Sequence, residues 1–558
     1  MLNPPTQGRC AYHGKVTEPT SWQDSPEARV DTPRADDLPL LRALASDLTD
    51  LDYTADGVAD LLGAPAYEAL SRDQLVPARI ALDPHAGRGL AAVVGLWLLA
   101  APQEAEALEA AFPRLGVDGL LALGLVERTD DGAVQAAVDL RPYAWTGEDG
   151  AETLLWVASD LGAHQRPGVL RHDHVLGIGQ ASTTLVQVTM RRPVATALDL
   201  GTGCGIQTFH LLEHARHVVA TDISPRALAF TRFNLLLNAG PLGIDPAKPD
   251  DRVSLRCGSL LEPVAGERVD LVVSNPPFVI TPRHDGESTD DQFTYRDGGL
   301  PGDAIVSTLF RDLPGVLAPG GAAQMLGNWE IAEGAAWDER VRSWLPDGAG
   351  AWVIQREQLS PELYAETWLQ DASEGRDPEL YARSYRDYLN DFAGRGVGAI
   401  GFGMVLLTGP GEGPELERFE EITYPVEQPL GPHLLAALER RAWLEEHEVG
   451  DASLVVAEDV TEERHQRPGA EHPGVILLRQ GAGLRRTNLL SSELAGFVSA
   501  CDGDFTAAQL AAAVVSLTPS TEGGGPIDDA SRIAALLEDV HNLVIDGFLV
   551  PVGLVSQP

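Results

Sequence analysis

The sequence predicts an α/β protein whose seven-stranded, largely parallel sheet stands between two mainly helical flanking regions. Three observations carry this. From about Val194 to Gly409, apolar segments of strand length alternate with helical ones. A glycine-rich run joins the first of these strands to the helix after it. The stretches before and after are rich in helical periodicity and each contains a hairpin-like or strand-ended pattern.

With 558 residues the chain exceeds one ordinary domain. Composition shifts divide it into a disordered tail (1–35), an N-terminal helical, winged-helix-like domain (36–150), the α/β domain (151–410) and a C-terminal winged-helix-like accessory domain (411–558). The tail is polar and proline-rich without periodicity. Leu38, Leu41, Leu44, Ala45 and Leu48 then repeat at helical steps, Thr54 can cap a short helix from Gly57 to Leu62, and Gly63 ends it. Helices are expected near Tyr67–Arg72, Leu90–Ala101 and Glu104–Phe112, followed by a hairpin whose turn is Thr129-Asp130-Asp131-Gly132 and whose second strand runs over Ala133–Leu140.

The seven expected strands are Ala197–Leu200, His217–Thr221, Val253–Arg256, Val269–Ser274, Ala322–Leu326, Ala351–Gln355 and Gly398–Leu407. A helical insertion with Tyr364, Trp368, Tyr381, Tyr385, Tyr388 and Phe392 separates the last two. Beyond Gly411 an acidic linker and helix lead to a strand at Val475–Leu478 and a capped helix at Ser491–Ala500. A turn at Asp502-Gly503-Asp504, a helix from Thr506, a flexible stretch at Pro519–Pro526, a third helix and a strand at Gly547–Val552 complete it.

The formal net charge is -41, and lysine occurs only at Lys15 and Lys248, so 39 of the 41 basic residues are arginine. Such acidity disfavours loose binding of polyanions, although a local arginine-lined cleft stays compatible with it. The four cysteines (Cys10, Cys204, Cys257, Cys501) form no CxxC pair, which suits a reducing compartment and argues against a zinc ribbon. The longest strongly apolar run, Leu90–Ala101, is too short to cross a bilayer and no charged-then-apolar leader is seen, so a cytoplasmic location without a membrane partner is expected.

Two motifs carry chemistry. Leu198-Asp199-Leu200-Gly201-Thr202-Gly203-Cys204-Gly205 follows the first strand, and its glycines let the backbone turn tightly and approach a ligand. A dinucleotide fingerprint needs its third glycine at position 206, which is Ile206, so the spacing is GxGxG in a Rossmann-like setting. Asp222 ends the next strand, where a carboxylate can accept both hydroxyl hydrogens of a ribose. An adenosine ligand without pyrophosphate fits this pair, and S-adenosyl-L-methionine (AdoMet) is such a ligand. The expected binding set is Asp199, Gly201, Thr202, Gly203, Cys204, Gly205, Asp222, Ile223, Ser259, Leu260 and Asn275, with no metal.

The second motif is Asn275-Pro276-Pro277-Phe278 after the apolar strand Leu271-Val272-Val273-Ser274. A planar nitrogen is a poor nucleophile because its lone pair is delocalised. The Asn275 side-chain oxygen and the Pro276 carbonyl can each accept one N–H of the target, the prolines fix the backbone, and Phe278 can stack on the planar group.

On these motifs, residues about 170–330 resemble the small-methyltransferase group, which includes release-factor glutamine N5-methyltransferases and base-amino rRNA methyltransferases. The resemblance implies that Val175–Thr183 covers the cofactor and that Asn275 to Phe278 are the catalytic residues. Tyr295–Asp303 and Leu317–Gly321 resemble the release-factor branch more than the rRNA branch. In two places the chain departs from that branch: Gly179-Gln180-Ala181 replaces a Pro-Arg-Pro-type run, and Gly258-Ser259 stands where Gly-Asp is usual. The expected activity is AdoMet-dependent N-methylation of a protein, peptide or nucleic-acid substrate, and a natural-product N- or O-methyltransferase is the alternative. A non-catalytic scaffold of the same fold belongs to another class. So does a zinc metallopeptidase using His210-Leu211-Leu212-Glu213-His214, whose histidines would share a helix face. The cluster His164, His172, Asp173 and His174 reads as loop hydrogen-bonding residues rather than ligands.

Overall fold

A computed structural model describes residues 22–25, 28, 31–147, 150–166, 171–283, 298–371, 377–409, 416–518 and 528–554. The N-terminal unit contains helices α1 (Leu38–Asp50), α2 (Ala55–Leu62), α3 (Ala64–Leu70), α4 (Leu75–Leu82), α5 (Gly89–Trp97), α6 (Ala105–Ala111) and α7 (Gly116–Ala122). The Thr54 hydroxyl caps α2 by accepting the Gly57 N–H at 2.9 Å, and Gly63 leaves the helix at φ +74°. Helix α4 lacks a side-chain cap and carries an internal proline, which hid it in the sequence. The hairpin β1 (Val126–Arg128) and β2 (Val134–Ala136) is short, and a second hairpin follows, β3 (Asp139–Thr146) and β4 (Glu152–Ser159). The strand expected over Ala133–Leu140 is therefore two strands of different hairpins.

The central elements alternate as α8 (Gln180–Val188), β5 (Val194–Leu200), α9 (Ile206–Leu211), β6 (Ala215–Asp222), α10 (Pro225–Leu237), β7 (Val253–Cys257), β8 (Val269–Ser274), α11 (Ala304–Asp312) and β9 (Leu317–Ala332). Then come α12 (Glu339–Arg342), β10 (Gly350–Leu359), the inserted helices α13 (Pro361–Asp371) and α14 (Pro378–Arg395), and β11 (Val397–Thr408). Every expected strand is present, but the sheet has eight strands, not seven, because β12 (Glu417–Glu421) adds in parallel beyond β10. The order is β12-β10-β11-β9-β8-β5-β6-β7, with β11 antiparallel to both neighbours and β5 to β9 all parallel. Chain order reverses between β5 and β8, the position where open α/β sheets bind ligands.

Strand alternation sends Ala197, Val218, Leu271 and Val273 to one core and Leu198, Val219 and Val272 to the other. The first core is continuous with Leu41, Trp97 and Phe112 of the N-terminal unit. Helix α10 lies between sheet and hairpin and is buried nearly all round, so its polar residues need internal partners. Asn234 and Asn238, one turn apart, supply them: their amides accept from Ala158 N (2.8 Å) and Trp156 N (2.9 Å) and donate to the same residues' carbonyls (2.9 and 2.8 Å). The β3–β4 hairpin thus crosses the boundary expected at residue 150.

The tail expected over 1–35 is ordered in part. The Trp22 indole donates to Leu255 O of edge strand β7 at 3.2 Å, and Ala28 and Thr32 are buried; residues 1–21 lie outside the described ones.

The C-terminal unit contains α15 (Gly431–Glu446), β13 (Ser453–Val456), β14 (Val460–His465), β15 (Val475–Gln480), β16 (Thr487–Leu489), α16 (Ser492–Ser499), β17 (Asp502–Thr506), α17 (Ala507–Leu517), α18 (Asp529–Asp546) and β18 (Leu549–Pro551). Two three-stranded sheets, β17-β13-β18 and β14-β15-β16, make it less helical than expected. The residues read as a turn, Asp502-Gly503-Asp504, begin β17, because Val455 pairs with Asp502 across the sheet. Pro519–Pro526 lies outside the described residues.

Candidate active site

Four strand ends meet at one edge of the sheet. Leu200 of β5 is in register with Thr221 of β6 and Ser274 of β8, and Asp222 with Cys257 of β7. The Ser274 hydroxyl donates to Leu200 O at 2.8 Å, which puts Asn275 and Gly201 side by side where β8 and β5 end.

The glycine loop is held from beneath and open above. Gly201 N and Thr202 N both donate to Thr221 O at 2.9 Å. Gly201 and Gly203 take φ of +79° and +58°, and a Cβ on either would project into open space, leaving room for a ligand against the backbone. Gly205 differs: a Cβ there would meet the Phe209 ring at 2.9 Å, so this glycine serves helix packing. Thr231 donates to Gly203 O (2.8 Å) and Asn234 to Cys204 O (2.9 Å), fixing the loop from α10.

Asp199 is buried under the loop. Its Oδ2 accepts from Thr208 N (2.9 Å), the Thr208 hydroxyl (2.6 Å) and the Thr202 hydroxyl (2.7 Å), while Oδ1 is buried without a partner. Burial outweighs these hydrogen bonds and pushes the carboxyl up to about 6. Asp222 is half-buried; its Oδ2 accepts Gly203 N at 3.0 Å and its Oδ1 accepts Ser224 N at 2.8 Å, and loss of solvent raises its carboxyl too. Backbone N–H groups of Ser224, Gly203 and Ile223 thus aim the carboxylate. Beside it stand the exposed Ile223, half-buried Ser259 and half-buried Leu260, which holds φ +46°, a strained conformation costing about 1–3 kcal/mol. The buried Cys204 thiol is pushed up to about 12 by desolvation, which excludes it as a nucleophile at neutral pH.

The second motif leaves β8 as irregular backbone. Pro276 is buried and Pro277 and Phe278 are half-buried, Phe278 packing against both cores. The Asn275 side-chain oxygen is buried and accepts no hydrogen bond among the described residues. The motif is braced from behind by residues that carry no sequence signature. The Tyr364 hydroxyl of α13 accepts Ile280 N at 2.7 Å and Asn328 Nδ2 at 3.1 Å. Gly298 lies against Ile305 of α11, whose Cδ1 a Cβ there would meet at 1.4 Å, with the Pro277 ring next at 3.4 Å. Asp303 anchors that loop by accepting Glu330 N (2.9 Å) and both forks of Arg340 (2.7 Å each). Of Tyr295–Asp303, the first three residues lie outside the described ones.

The segment before the sheet is tied down by a buried ion pair. Arg226 of α10 grips Asp160 with both Nη atoms, and Asp160 Oδ2 also accepts Val175 N at 2.8 Å. Gln207 Nε2 donates to Ser182 O at 2.9 Å, so Val175–Thr183 is fastened at both ends.

The peptidase-like motif does not share a helix face, because α9 ends at Leu211, before Glu213 and His214. His210 Nε2 lies 2.7 Å from the Tyr143 hydroxyl, and burial pushes its imidazole down to about 3. Glu213 pairs with Arg191 and accepts the Trp145 indole. These residues latch hairpin β3–β4 to the sheet domain. His164 lies 3.5 Å from Asp73, and His174 is buried 3.7 Å from Asp160. Among the described residues no three His, Cys, Asp or Glu side chains converge as a metal site, and no helix is long and apolar enough to cross a membrane.

With this geometry in view, sequence comparison is decisive for the central part of the chain. Residues 160–296 match the family model described as methyltransferase small domain. The chain carries a small AdoMet-dependent methyltransferase domain. Residues 50–137 match a domain of unknown function, DUF7059. The release factor glutamine methyltransferase of Moorella thermoacetica is 35% identical over 170 residues, 28% of this chain and 56% of that protein. A ribosomal protein uL3 glutamine methyltransferase of Bradyrhizobium diazoefficiens is 31% identical over 190 residues, 32% of this chain and 54% of that one. The ribosomal RNA small subunit methyltransferase C of Alcanivorax borkumensis is 29% identical over 183 residues, 32% and 46% of the two chains. The methyltransferase domain thus matches about half the length of these relatives. A solved SAM-dependent methyltransferase from Thiobacillus denitrificans with S-adenosyl-L-homocysteine covers 42% of this chain and 92% of its own, at 19% identity and a TM-score of 0.23.

Proposed function

We propose that the chain is an AdoMet-dependent N-methyltransferase acting on a planar amide or amine nitrogen of a protein, peptide or nucleic acid. The observation that carries this is the buried, unpartnered Asn275 side-chain oxygen beside the open glycine loop. A buried acceptor left unpaired costs about 1–3 kcal/mol, so its retention points to a donor that arrives with the substrate.

Gly201, Thr202 and Gly203 would face the methionine end of the cofactor, Asp222 the ribose hydroxyls, and Ile223, Ser259 and Leu260 the adenine. When bound, AdoMet supplies an electrophilic methyl group on a sulfonium. Asn275 Oδ1 and the Pro276 carbonyl take the two N–H groups of the target nitrogen and orient its lone pair, and Phe278 bears on the planar group. The names of the relatives, which give protein glutamine and ribosomal RNA as substrates, support this range of acceptors. We assign choice between them to the units flanking the domain, read as winged-helix-like docking modules. Labelled-AdoMet transfer run side by side on total protein and total RNA tests the reading; label in neither, or no AdoMet binding by calorimetry, sinks it.

Asp222→Ala should weaken AdoMet binding at least tenfold, since hydrogen bonds to a charged group are worth about 1.5–3 kcal/mol. Unchanged affinity in calorimetry removes Asp222 from the site.

Asp199 makes binding pH-dependent. Its carboxyl is raised to about 6, so the fold gains from this group below its ordinary range and loses that gain as pH rises through about 6. A cationic ligand beside Oδ1 favours the ionised form. AdoMet affinity should therefore fall as pH drops below about 6, with proton release on binding near that pH. Calorimetry in buffers of different ionisation enthalpy measures it, and a flat profile from pH 5 to 7 counts against the assignment.

A further inference from the structure

Helix α4, in the part of the N-terminal unit that matches the domain of unknown function, is more apolar than its packing requires. In Leu75-Val76-Pro77-Ala78-Arg79-Ile80-Ala81-Leu82 the only polar residue is Arg79. Leu75, Ala78 and Leu82, at steps of three and four, are buried in the core that holds Leu62 and Leu70, and they complete the inward face. Val76 and Ile80, one turn apart on the outward face, are 63% and 65% exposed, and Pro77 beside them is exposed too. A helix that is apolar all round belongs in an interior, and among the described residues nothing covers this outward face.

The charge around the face runs against that of the chain. Acidic residues outnumber lysine and arginine by 82 to 41 overall, yet between Arg72 and Gly89 three arginines (Arg72, Arg79, Arg88) stand against two aspartates. Asp73 lies 3.5 Å from His164, which leaves Asp83. All three arginines are exposed, and among the described residues their guanidinium groups have no ion-pair or hydrogen-bond partner. Asp56, Asp60 and Glu68, on the helices against which α4 packs, are exposed as well and form no ion pair with them. Arg79 follows Val76 by three residues, so free charge and apolar surface share one face.

We propose that this face docks an acidic, amphipathic segment of a protein substrate, whose aliphatic side chains cover Val76 and Ile80 and whose carboxylates meet Arg72, Arg79 and Arg88. The proposal rests on the docking role given above to the flanking units, and it narrows the acceptor to a protein. Carboxylates match the paired N–H groups of a guanidinium, and the aliphatic contact keeps water from the centre of the patch. A nucleic acid fits the face less well, because single-strand binders stack bases on aromatic side chains and α4 has none.

Fluorescence anisotropy with the full chain at low salt tests it. The probes are a labelled peptide of leucine and glutamate at helical spacing, the same peptide with lysine for glutamate, and a uridine oligoribonucleotide. The glutamate peptide should bind, more weakly as salt is raised, and the lysine peptide should not. Arg79→Glu with Arg88→Glu should weaken the glutamate peptide at least tenfold and admit the lysine peptide in its place. Val76→Ser with Ile80→Ser should weaken it at least tenfold as well. In the labelling screen both double variants should lose transfer to total protein at least tenfold. All four positions are exposed, so melting temperature and AdoMet affinity should match the unaltered chain. Peptide binding and AdoMet binding are read separately, so failure of docking and failure of the methyltransferase reading are distinguishable. No binding of the glutamate peptide, equal binding of the lysine peptide, undiminished peptide binding or protein labelling by either double variant, or oligonucleotide binding that Arg79→Glu with Arg88→Glu removes overturns the proposal.

Discussion

Asn275→Ala is expected to lower methyl transfer by about 10²–10³-fold, the loss seen when one preorganised polar contact to a reacting centre is removed. AdoMet affinity should fall far less than transfer, because most of the proposed cofactor cradle comes from the ends of β5, β6 and β7, which bind one another without Asn275. Stability should not fall, which distinguishes this site from an ordinary core position. The asparagine oxygen is buried and unpaired, so removing it also removes a desolvation cost of about 1–3 kcal/mol. Single-turnover transfer to the acceptor found in the labelling screen, together with a thermal melt, gives both readings. Full turnover with a lowered melting temperature would mean that Asn275 is a structural residue.

Arg226→Met should cost the most stability, about 3–5 kcal/mol, because it strands the buried Asp160 carboxylate. The Arg226 guanidinium is 2% exposed, donates to Asp31 O at 2.6 Å and lies 5.1 Å over the Phe230 ring, so the N-terminal segment loses its anchor as well. Asp160 holds Val175 N, so AdoMet affinity should decline together with stability. Arg226→Met combined with Asp160→Asn should be less damaging than Arg226→Met alone, since no charge is left without a partner. Urea midpoints decide it: a double variant worse than the single one would show that the pair does not act as a unit.

What the sequence made legible follows from local rules. The seven strands were visible as apolar runs, the α2 cap as Thr54, and the two motifs as runs of glycine and proline with special backbone geometry. The residues that brace the site were not legible, since long-range pairing has no period. Tyr364 read as one aromatic among six in a helical insertion, yet its hydroxyl is bonded to Ile280 directly behind Asn275–Phe278. Arg226 and Asp160 lie 66 positions apart. One signal is legible: Asn234 in α10 and Asn238 at its C-cap, spaced one turn apart along an apolar run, mark a face that must satisfy another element's backbone. The eighth strand was hidden for another reason, since Glu417-Arg418-Phe419-Glu420-Glu421 is charged at four of five positions. Its charges are consumed in a network with Arg486 and Asp546 of the C-terminal unit, and Trp352 donates to Glu420 at 3.1 Å.

That strand sets where the chain can be cut. A protein shortened after residue 410 would keep every motif discussed above and yet bare the flank of β10, five residues long where β12 had paired. Its amides and carbonyls over Ala351–Gln355 belong to a strand buried on both faces, with Trp352 and Ile354 on one side and Val353 on the other. An unpaired, apolar sheet margin of this kind recruits further strands from other copies, so the shortened protein should self-associate in light scattering, whereas one ending after Ile422 should do so less. The segment following the last expected strand is in this sense a selvedge: it carries no chemistry, and it keeps the woven sheet from unravelling into its neighbours.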